Sequence, residues 1–456
     1  MRTRMHRRFI PLLLLLLGVA LPAAAAEQAA SPFFPYPMKV DRLPNGLTVV
    51  RVPFNSPGLI AYQTVVRVGS RNEVEPGKTG FAHFFEHMMF KGTKNFPEGE
   101  RDKVISTYGF DDNAFTTDDL TLYHSYGPTA GLEKLVEIEA DRFRNLEYSE
   151  PSFQTEALAV LGEYHKNAAQ PYLKIEEELG RTLFTKHTYG HTTLGHYADI
   201  KAMPQAYPYS RTFFERWYTP DNVILVVVGD FDDDTLMRAV REHYGPWDRK
   251  SATVTVPAEP PQTKERSVHI DWPQSTQPRH LFAWRTPAAR LDTADAALQT
   301  VLADYLVGPT SPLYKELVLD KQLAQEIGSD FSIHRDPHLF TLVAVLQEEG
   351  NRAAVRDAFN AAVRALATGK VDAGRVEAIK SNTRYGLLMN METAKAVATQ
   401  LSYFAGVYGT PDALARHYQK VSEVKPGDLV TFAKKYLTAA NRTQLTLTPK
   451  QAGGQN

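Results

Sequence analysis

The chain has 456 residues, with 51 Lys and Arg against 52 Asp and Glu, and it contains no cysteine. This near-balanced charge offers no basic field for a phosphate backbone, which disfavours nucleic-acid binding as the main role. The absence of cysteine excludes disulfide scaffolds, thiolate metal sites and cysteine nucleophiles. Any metal ligands must therefore come from His, Asp and Glu.

The first 26 residues have the pattern of a secretory signal peptide. Four arginines within the first eight residues precede a leucine-rich apolar stretch, and three alanines at 24–26 offer a small-residue cleavage site. The apolar stretch has about 13 residues, whereas a membrane-spanning helix needs about 20. We therefore expect an exported protein, periplasmic or secreted, that keeps no stable membrane anchor after cleavage.

The following elements alternate between strand and helix patterns. An Asn-Gly turn at residues 45–46 introduces the first strand, and apolar runs rich in β-branched residues predict strands, whereas 3.6-residue spacing predicts helices. The predicted strands are 47–52, 59–68 and 117–126, and the predicted helices are 80–91, 132–146 and 151–167.

One segment occurs twice. Residues 213–222 read FFERWYTPDN and residues 432–441 read FAKKYLTAAN, 219 residues apart, and each leads into a β-rich run. The polar, proline-rich stretch 250–266 between them is typical of a linker. We therefore predict a duplication, with domains at 27–256 and 257–456.

The second half repeats the mixture of strands and helices. Residues 268–272 and 281–284 are predicted strands, and residues 293–307 are a predicted helix. The fold class predicted is α+β, with two homologous domains that each pack helices against a mainly antiparallel sheet.

The chemistry concentrates in FAHFFEHMMF at residues 81–90. His83 and His87 are four residues apart, so on a helix both imidazoles share one face and can converge on one cation. Glu86 lies beside them, where its carboxylate can deprotonate a water without being a ligand. The alternative is a buried helix with two ordinary core histidines.

A third ligand must come from elsewhere in the fold, because a catalytic zinc usually has three protein ligands and one open position. In the predicted helix 151–167, Glu156 and Glu163 are two turns apart and share a face. One could bind the metal while the other orients a histidine. Spacing alone leaves open a solvated acidic stripe, and it does not exclude the other acidic and imidazole candidates, Asp118, Asp119, His124 and His165.

These motifs together resemble the pitrilysin or insulinase family of zinc metallopeptidases, family M16. HFFEH has the inverted H-x-x-E-H order, and Gly-Ser-Arg-Asn-Glu at 69–73 and Phe-Lys-Gly-Thr at 90–93 resemble the flanking family blocks. The resemblance implies one zinc per chain, held by His83, His87 and Glu163, with Glu86 as the base and Glu156 as an accompanying acid. It also implies that Asn113 and Ala114 lie near the strand that holds substrate.

The family resemblance also implies zinc in the first domain alone. When Gly92 is aligned with Gly308, Gln299, Leu302 and Ala303 stand in place of the two histidines and the glutamate. Pro312 stands where the family usually has an arginine that holds substrate. This departure puts in doubt whether one chain completes its own active site.

The chain is similar to the half-length, two-domain members of the family. The resemblance implies an endopeptidase that hydrolyses unfolded peptides inside a clamshell chamber, whose other half is a second copy or a zinc-less homologue. The alternatives are a non-catalytic partner or structural subunit of the same fold, and a peptidase that processes targeting presequences.

Overall fold

The computed structural model describes residues 26–28 and 30–450. The predicted signal peptide therefore lies outside the described residues except for Ala26. Over the described ranges, no helix combines the length and the apolar character that a membrane crossing requires.

The strands of the first half form one seven-stranded sheet. They are β1 (Ala26–Gln28), β2 (Met38–Arg42), β3 (Thr48–Pro53), β4 (Leu59–Val66), β5 (Asp111–Thr116), β6 (Thr121–Pro128) and β7 (Val223–Gly229). Their order is β1-β2-β3-β7-β4-β6-β5, and every neighbouring pair is antiparallel except β3 and β7. Strand β7 is buried on both faces, which explains its continuous apolar sequence.

Eight helices belong to the described part of the first half. They are α1 (Phe81–Met88), α2 (Glu100–Tyr108), α3 (Leu132–Asn145), α4 (Glu150–Ala168), α5 (Pro171–Leu183), α6 (Tyr197–Ala202), α7 (Tyr207–Trp217) and α8 (Asp233–Tyr244). Helix α4 begins where the Ser149 side chain accepts a hydrogen bond from the backbone of Ser152, with proline in the first turn.

One predicted strand is wrong at its start. Residues 117–120, predicted as strand, form a tight turn between β5 and β6, in which the Thr117 N–H donates to the Leu120 carbonyl at 2.8 Å. The Thr117 hydroxyl also accepts from the backbone N–H groups of Asp119 and Leu120. A threonine side chain that bonds its own backbone in this way favours a turn over a strand.

The second half repeats the first sheet in a five-stranded form. Its strands are β8 (Arg266–Trp272), β9 (Arg279–Thr286), β10 (Ala324–Gly328), β11 (His338–Leu346) and β12 (Arg442–Pro449). Their order is β8-β12-β9-β11-β10, again with a single parallel pair, β8 and β12. This is the order β3-β7-β4-β6-β5 of the first half, so the two halves share one topology.

The helices of the second half complete the α+β architecture. They are α9 (Asp295–Val307), α10 (Pro312–Tyr314, which continues as a π-helical segment, Lys315–Asp320), α11 (Arg352–Ala367), α12 (Ala373–Met389), α13 (Ala394–Tyr408), α14 (Ala413–Glu423) and α15 (Pro426–Tyr436). The predicted fold class, α+β with two homologous domains built on mainly antiparallel sheets, is confirmed. The predicted boundary near 257 falls between α8 and β8, in a stretch without helix or strand.

The two halves exchange helices across their sheets. Helix α13 of the second half packs Leu401 and Phe404 against the face of the first sheet that bears Val65 and Val226. Helix α5 of the first half packs in the same way on β8, β9 and β12, where its Leu183 joins the core. Each sheet is therefore covered on one face by its own helices and on the other by a helix of the other half.

Candidate active site

Helix α1, which carries His83, Glu86 and His87, is anchored at its first turn. Gly80 precedes it in the left-handed region (φ 87°), and a side chain there would collide with Ile200 and the Leu194 carbonyl. The buried Glu73 carboxylate accepts hydrogen bonds from the N–H groups of Gly80 and Ala82, both at 2.7 Å. These N–H groups have no acceptor within the helix, so Glu73 satisfies them and holds the start of the helix in place.

The apolar residues of α1 orient the helix. Phe84, Phe85 and Met88 are fully buried, and the Phe84 ring packs edge-on against Phe153 of α4 at 4.9 Å between centroids. Burial of these side chains leaves the two histidines on the face that meets the polar side of α4.

His83, His87 and Glu163 converge between α1 and α4. The Nε2 atoms of His83 and His87 lie 3.5 and 3.4 Å from the same Glu163 oxygen, Oε2, and all three ligand atoms lie within 4.8 Å of one another. Ligand atoms about 2.0–2.2 Å from a tetrahedral zinc ion lie about 3.3–3.6 Å apart. Two imidazole nitrogens and one carboxylate oxygen at this spacing fit a zinc ion with one position left for water.

Glu156 contacts the other side of the His87 ring. Its Oε1 accepts from His87 Nδ1 at 2.9 Å, and its Oε2 accepts from Lys91 Nζ at 2.8 Å. With Nδ1 protonated and bonded to Glu156, the lone pair of Nε2 faces Glu163. The structure therefore places Glu156 where an acid that orients a metal ligand belongs.

The surroundings shift the pKa values of His83, His87 and Glu156 in different directions. Burial, and secondly the neighbouring His87, lower the pKa of His83 to about 4, so the ring is neutral and has a free lone pair. Burial opposes charge on His87 as well, but the hydrogen bond and the charge of Glu156 outweigh it and raise the pKa of His87. The hydrogen bond from His87 lowers the pKa of Glu156 to about 2, so Glu156 stays ionised.

Glu86 lies beside His83, His87 and Glu163 but does not belong to this cluster. Its Oε2 accepts a hydrogen bond from the Thr116 hydroxyl at 2.7 Å. Burial raises the pKa of Glu86, although the Thr116 hydrogen bond acts in the opposite direction. A partly buried carboxylate with a raised pKa is a better proton acceptor than a solvated one.

Strand β5 carries the residues predicted to lie near substrate. It is the edge strand of the first sheet and ends at Thr116, so it leads directly to the Glu86 carboxylate. Asn113 is exposed on this strand, and Ala114 is buried against the core. The free backbone groups of an edge strand can pair with an extended peptide.

The other ligands that spacing left open lie elsewhere. His124 stacks on Tyr126 on strand β6, and His165 packs against Tyr197. Asp118 and Asp119 lie in the turn between β5 and β6, where they face residues of the second half. None of the four joins the cluster formed by His83, His87 and Glu163.

Helix α9, the counterpart of α1 in the second half, carries no metal ligands at the aligned positions. In α9, Gln299 and Leu302 are buried, and the Gln299 side chain accepts a hydrogen bond from Thr286. Ala303 packs against the same core, and Pro312 begins α10. The residues aligned with His83, Glu86 and His87 are therefore ordinary core residues.

Comparison with known proteins identifies the family. Residues 60–196 match the sequence model described as insulinase, peptidase family M16, and residues 209–383 match the one described as the peptidase M16 inactive domain. The two matches together span more than half of the chain. The chain belongs to peptidase family M16. The histidine and glutamate cluster lies in the part that matches the insulinase model.

Individual relatives agree with this assignment. The zinc protease PqqE of Helicobacter pylori is 28% identical over 451 residues, which cover 96% of this chain and 98% of that protein. The crystal structure of a protease from Helicobacter pylori superposes with a TM-score of 0.84 and 27% identity, over 90% of this chain and 99% of that one. The first half of the periplasmic protease PqqL from Escherichia coli, 17% identical, shares the fold with a TM-score of 0.74, covering 90% of this chain and 92% of that one.

Three residues with roles at the site were not predicted as site residues. Glu73 and Lys91 stand in the motifs that flank H-x-x-E-H, but their partners, the start of α1 and Glu156, come close only in the folded chain. Thr116 follows Asn113 and Ala114 directly, and its contact with Glu86 depends on how β5 packs beside α1. In the sequence, these three residues could be noticed only because they lie in or next to segments that resemble motifs of the family.

Proposed function

We propose that this M16 protein is a zinc-dependent endopeptidase that hydrolyses unfolded peptides. The observation that carries the proposal is the convergence of His83, His87 and Glu163, with Glu86 beside them and held by Thr116. A zinc ion held by these three residues would polarise the scissile carbonyl and make a bound water more acidic.

Glu86 is the proposed general base. Its carboxylate takes the proton of the attacking water and then passes it to the leaving nitrogen of the cleaved bond. Thr116 acts as a positioning residue, because its hydroxyl fixes one carboxylate oxygen and leaves the other for the water. Burial supports the first of these steps by raising the pKa of Glu86, which makes the carboxylate a stronger base.

The proposed substrate is an extended peptide that pairs with edge strand β5 near Asn113 and Ala114. Main-chain pairing binds the backbone of any sequence, so it favours broad specificity and requires an unfolded segment. The substrate's own backbone then runs toward Thr116 and the Glu86 carboxylate.

We also propose that the protein is exported and works with a partner. Export rests on the signal-peptide pattern of residues 1–26, and the partner, a second copy or a zinc-less homologue, would close the peptide chamber. Pro312, where the family usually has an arginine, supports the need for a partner that supplies substrate-binding groups.

The test compares Glu86→Gln with the wild-type protein. Purified protein, with and without a co-purified homologue, is given an unfolded, fluorescently quenched peptide, and its zinc content is measured by mass spectrometry. We expect Glu86→Gln to keep its zinc and lose about 10²–10⁴-fold in turnover, because the general base is gone while the ligands remain.

Glu133→Gln is the matched control, since Glu133 is an exposed glutamate of α3 that pairs with Arg238 on the surface. It should cleave at the wild-type rate. Full activity of Glu86→Gln would overturn the assignment of the base. A zinc-loaded wild-type protein that cleaves no peptide, with or without a homologue, would instead favour the non-catalytic alternative.

A further inference from the structure

A second cluster of histidines and carboxylates lies between the two halves. Asp118 belongs to the turn after β5, whereas His334 precedes β11 and His338 is its first residue. We call these three residues the interdomain triad. They line a cavity of about 390 Å³ together with Glu176 and Asp330.

The three ligand atoms of the triad lie about as close together as those of the active site. Asp118 Oδ2 lies 3.7 Å from His334 Nδ1 and 3.6 Å from His338 Nε2, and all three atoms lie within 4.8 Å of one another. These separations are too long for hydrogen bonds. They match the spacing of donor atoms around one small cation, about 3.3–3.6 Å for tetrahedral zinc.

The neighbouring groups leave these atoms free for a ligand. Asp118 uses its other oxygen, Oδ1, to accept from the Ser70 hydroxyl at 2.8 Å. His334 bonds Ser332 through Nε2 at 2.8 Å, while its buried Nδ1 lies 3.2 Å from Asp119 Oδ2 without the geometry of a hydrogen bond. A buried nitrogen between two carboxylates that makes a well-oriented hydrogen bond to neither of them requires an explanation.

The remaining carboxylates of this region already have partners. Asp119 accepts from the Tyr189 hydroxyl at 2.8 Å and from the Arg335 backbone N–H at 3.0 Å. Asp336 pairs with Arg71 at 2.6 Å and with His187 at 2.9 Å. These contacts hold the loops of both halves around the triad and leave Asp118 as the carboxylate that faces both histidines.

We propose that Asp118, His334 and His338 bind a second divalent metal ion of the zinc class, which bridges the two halves of the chain. A carboxylate and two imidazoles are ligands that zinc accepts in the absence of thiols. The family resemblance implies one zinc per chain, at His83, His87 and Glu163, and the proposed ion is additional to it.

Binding of a metal ion would require a movement of the two imidazole rings. The two rings stack with centroids 3.6 Å apart. Ligation in the plane of both rings requires one of them to turn out of the stack, toward the adjoining cavity.

The competing explanation is a proton instead of a metal. Burial opposes charge on His334, but the Asp119 carboxylate, 3.2 Å from Nδ1, outweighs that effect and raises the pKa of His334. A protonated His334 paired with Asp119 would stabilise the interface without any metal. The experiment must therefore measure metal directly.

The test removes the first site and counts zinc at the second. The full-length double variant His83→Ala/His87→Ala is stripped with chelator, incubated with zinc chloride, desalted and analysed by mass spectrometry. We expect about one zinc per chain and a higher melting temperature with zinc than without, since a ligand that binds only the folded state stabilises it. The readout does not depend on peptidase activity.

Two further changes in that background locate the metal. Asp118→Asn keeps the shape of the side chain but weakens the ligand, and it should abolish zinc retention and the rise in melting temperature. Asp330→Asn is the matched control, because Asp330 lines the same cavity outside the triad, and it should retain one zinc. If Asp118→Asn fails to fold, His338→Gln replaces it.

A folded His83→Ala/His87→Ala protein that holds no zinc would overturn the proposal. Equal zinc content in the Asp118→Asn or His338→Gln derivative would also overturn it, because the metal would then be bound adventitiously. Both outcomes leave the assignment of the first site unaffected.

Discussion

Glu156 determines which nitrogen of His87 faces the metal site. Its hydrogen bond to Nδ1 at 2.9 Å keeps the proton on that nitrogen and leaves the Nε2 lone pair directed at Glu163. Lys91, 2.8 Å from the other oxygen of Glu156, keeps the carboxylate in place. Loss of the negative charge should therefore weaken the metal site without removing a ligand.

We expect Glu156→Gln to lower zinc affinity about 10–100-fold, the usual effect of altering a group that orients a metal ligand. Competition with a chromophoric chelator measures the affinity. Peptidase activity should fall at limiting zinc and recover when zinc is in excess. Glu150→Gln, an exposed position in the first turn of the same helix, should bind zinc as the wild type does. Unchanged affinity in Glu156→Gln would show that His87 does not depend on this contact.

How far the site could be predicted differs from residue to residue. His83 and His87 belong to one helix, so their common face follows from a four-residue spacing. The position of Glu163 depends on how α4 packs against α1, and residue spacing alone left Asp118, Asp119, His124 and His165 as rivals. The resemblance to the family singled out Glu163, and the structure brings it to the two histidines. The interdomain triad joins residues more than 200 positions apart, for which the sequence offers no periodic signal.

At the scale of elements, helix α13 lies close against the first sheet because it has a glycine where the two meet. A Cβ atom at Gly406 would lie 2.5 Å from Leu120 Cδ2 and 2.9 Å from Val65 Cγ1. The Gly406 carbonyl also accepts from Arg67 Nε at 2.9 Å. The helix therefore cannot shift without disturbing both the apolar contact and this hydrogen bond.

We expect Gly406→Ala to destabilise the protein by about 1–3 kcal/mol, the usual cost of overpacking a core. Gly386→Ala, in helix α12, is the matched control, because nothing lies within 4 Å of a Cβ built there. That change should be neutral or stabilise the fold by up to about 1 kcal/mol, since alanine favours helix over glycine. Urea unfolding of both variants measures the difference. Equal stability would mean that α13 has room to move away from the sheet.

Element types were largely predictable, whereas boundaries and partners were not. The apolar run of β7 and the 3.6-residue pattern of α3 follow directly from which faces are buried. The split at residues 117–120 depends on a hydroxyl that bonds its own backbone, a local contact that competes with strand pairing. Helix α5 is amphipathic and helix α13 is largely apolar, and neither pattern tells which sheet the helix covers.

At the scale of the whole molecule, the exchange of α5 and α13 makes each half dependent on the other. The repeat at 213–222 and 432–441 predicted two homologous units, and the shared strand order bears out that similarity. Similar units need not be independent ones. Without α13, the outer face of the first sheet would expose a row of valines and leucines to water, and the second sheet would do the same without α5.

We therefore expect neither half to fold alone, although a cut between them should be tolerated. A protease site inserted at residues 252–253, which are exposed and outside any helix or strand, allows cleavage of the folded protein. The nicked protein should elute as one species in gel filtration and keep its helical circular dichroism, because the exchanged helices hold the halves together. After separation in urea and removal of the denaturant, each half alone should aggregate or stay unfolded, whereas the mixture should regain the native spectrum. A cooperative thermal transition of either isolated half would contradict this prediction, since it would show that one sheet is stable without the helix supplied by the other half.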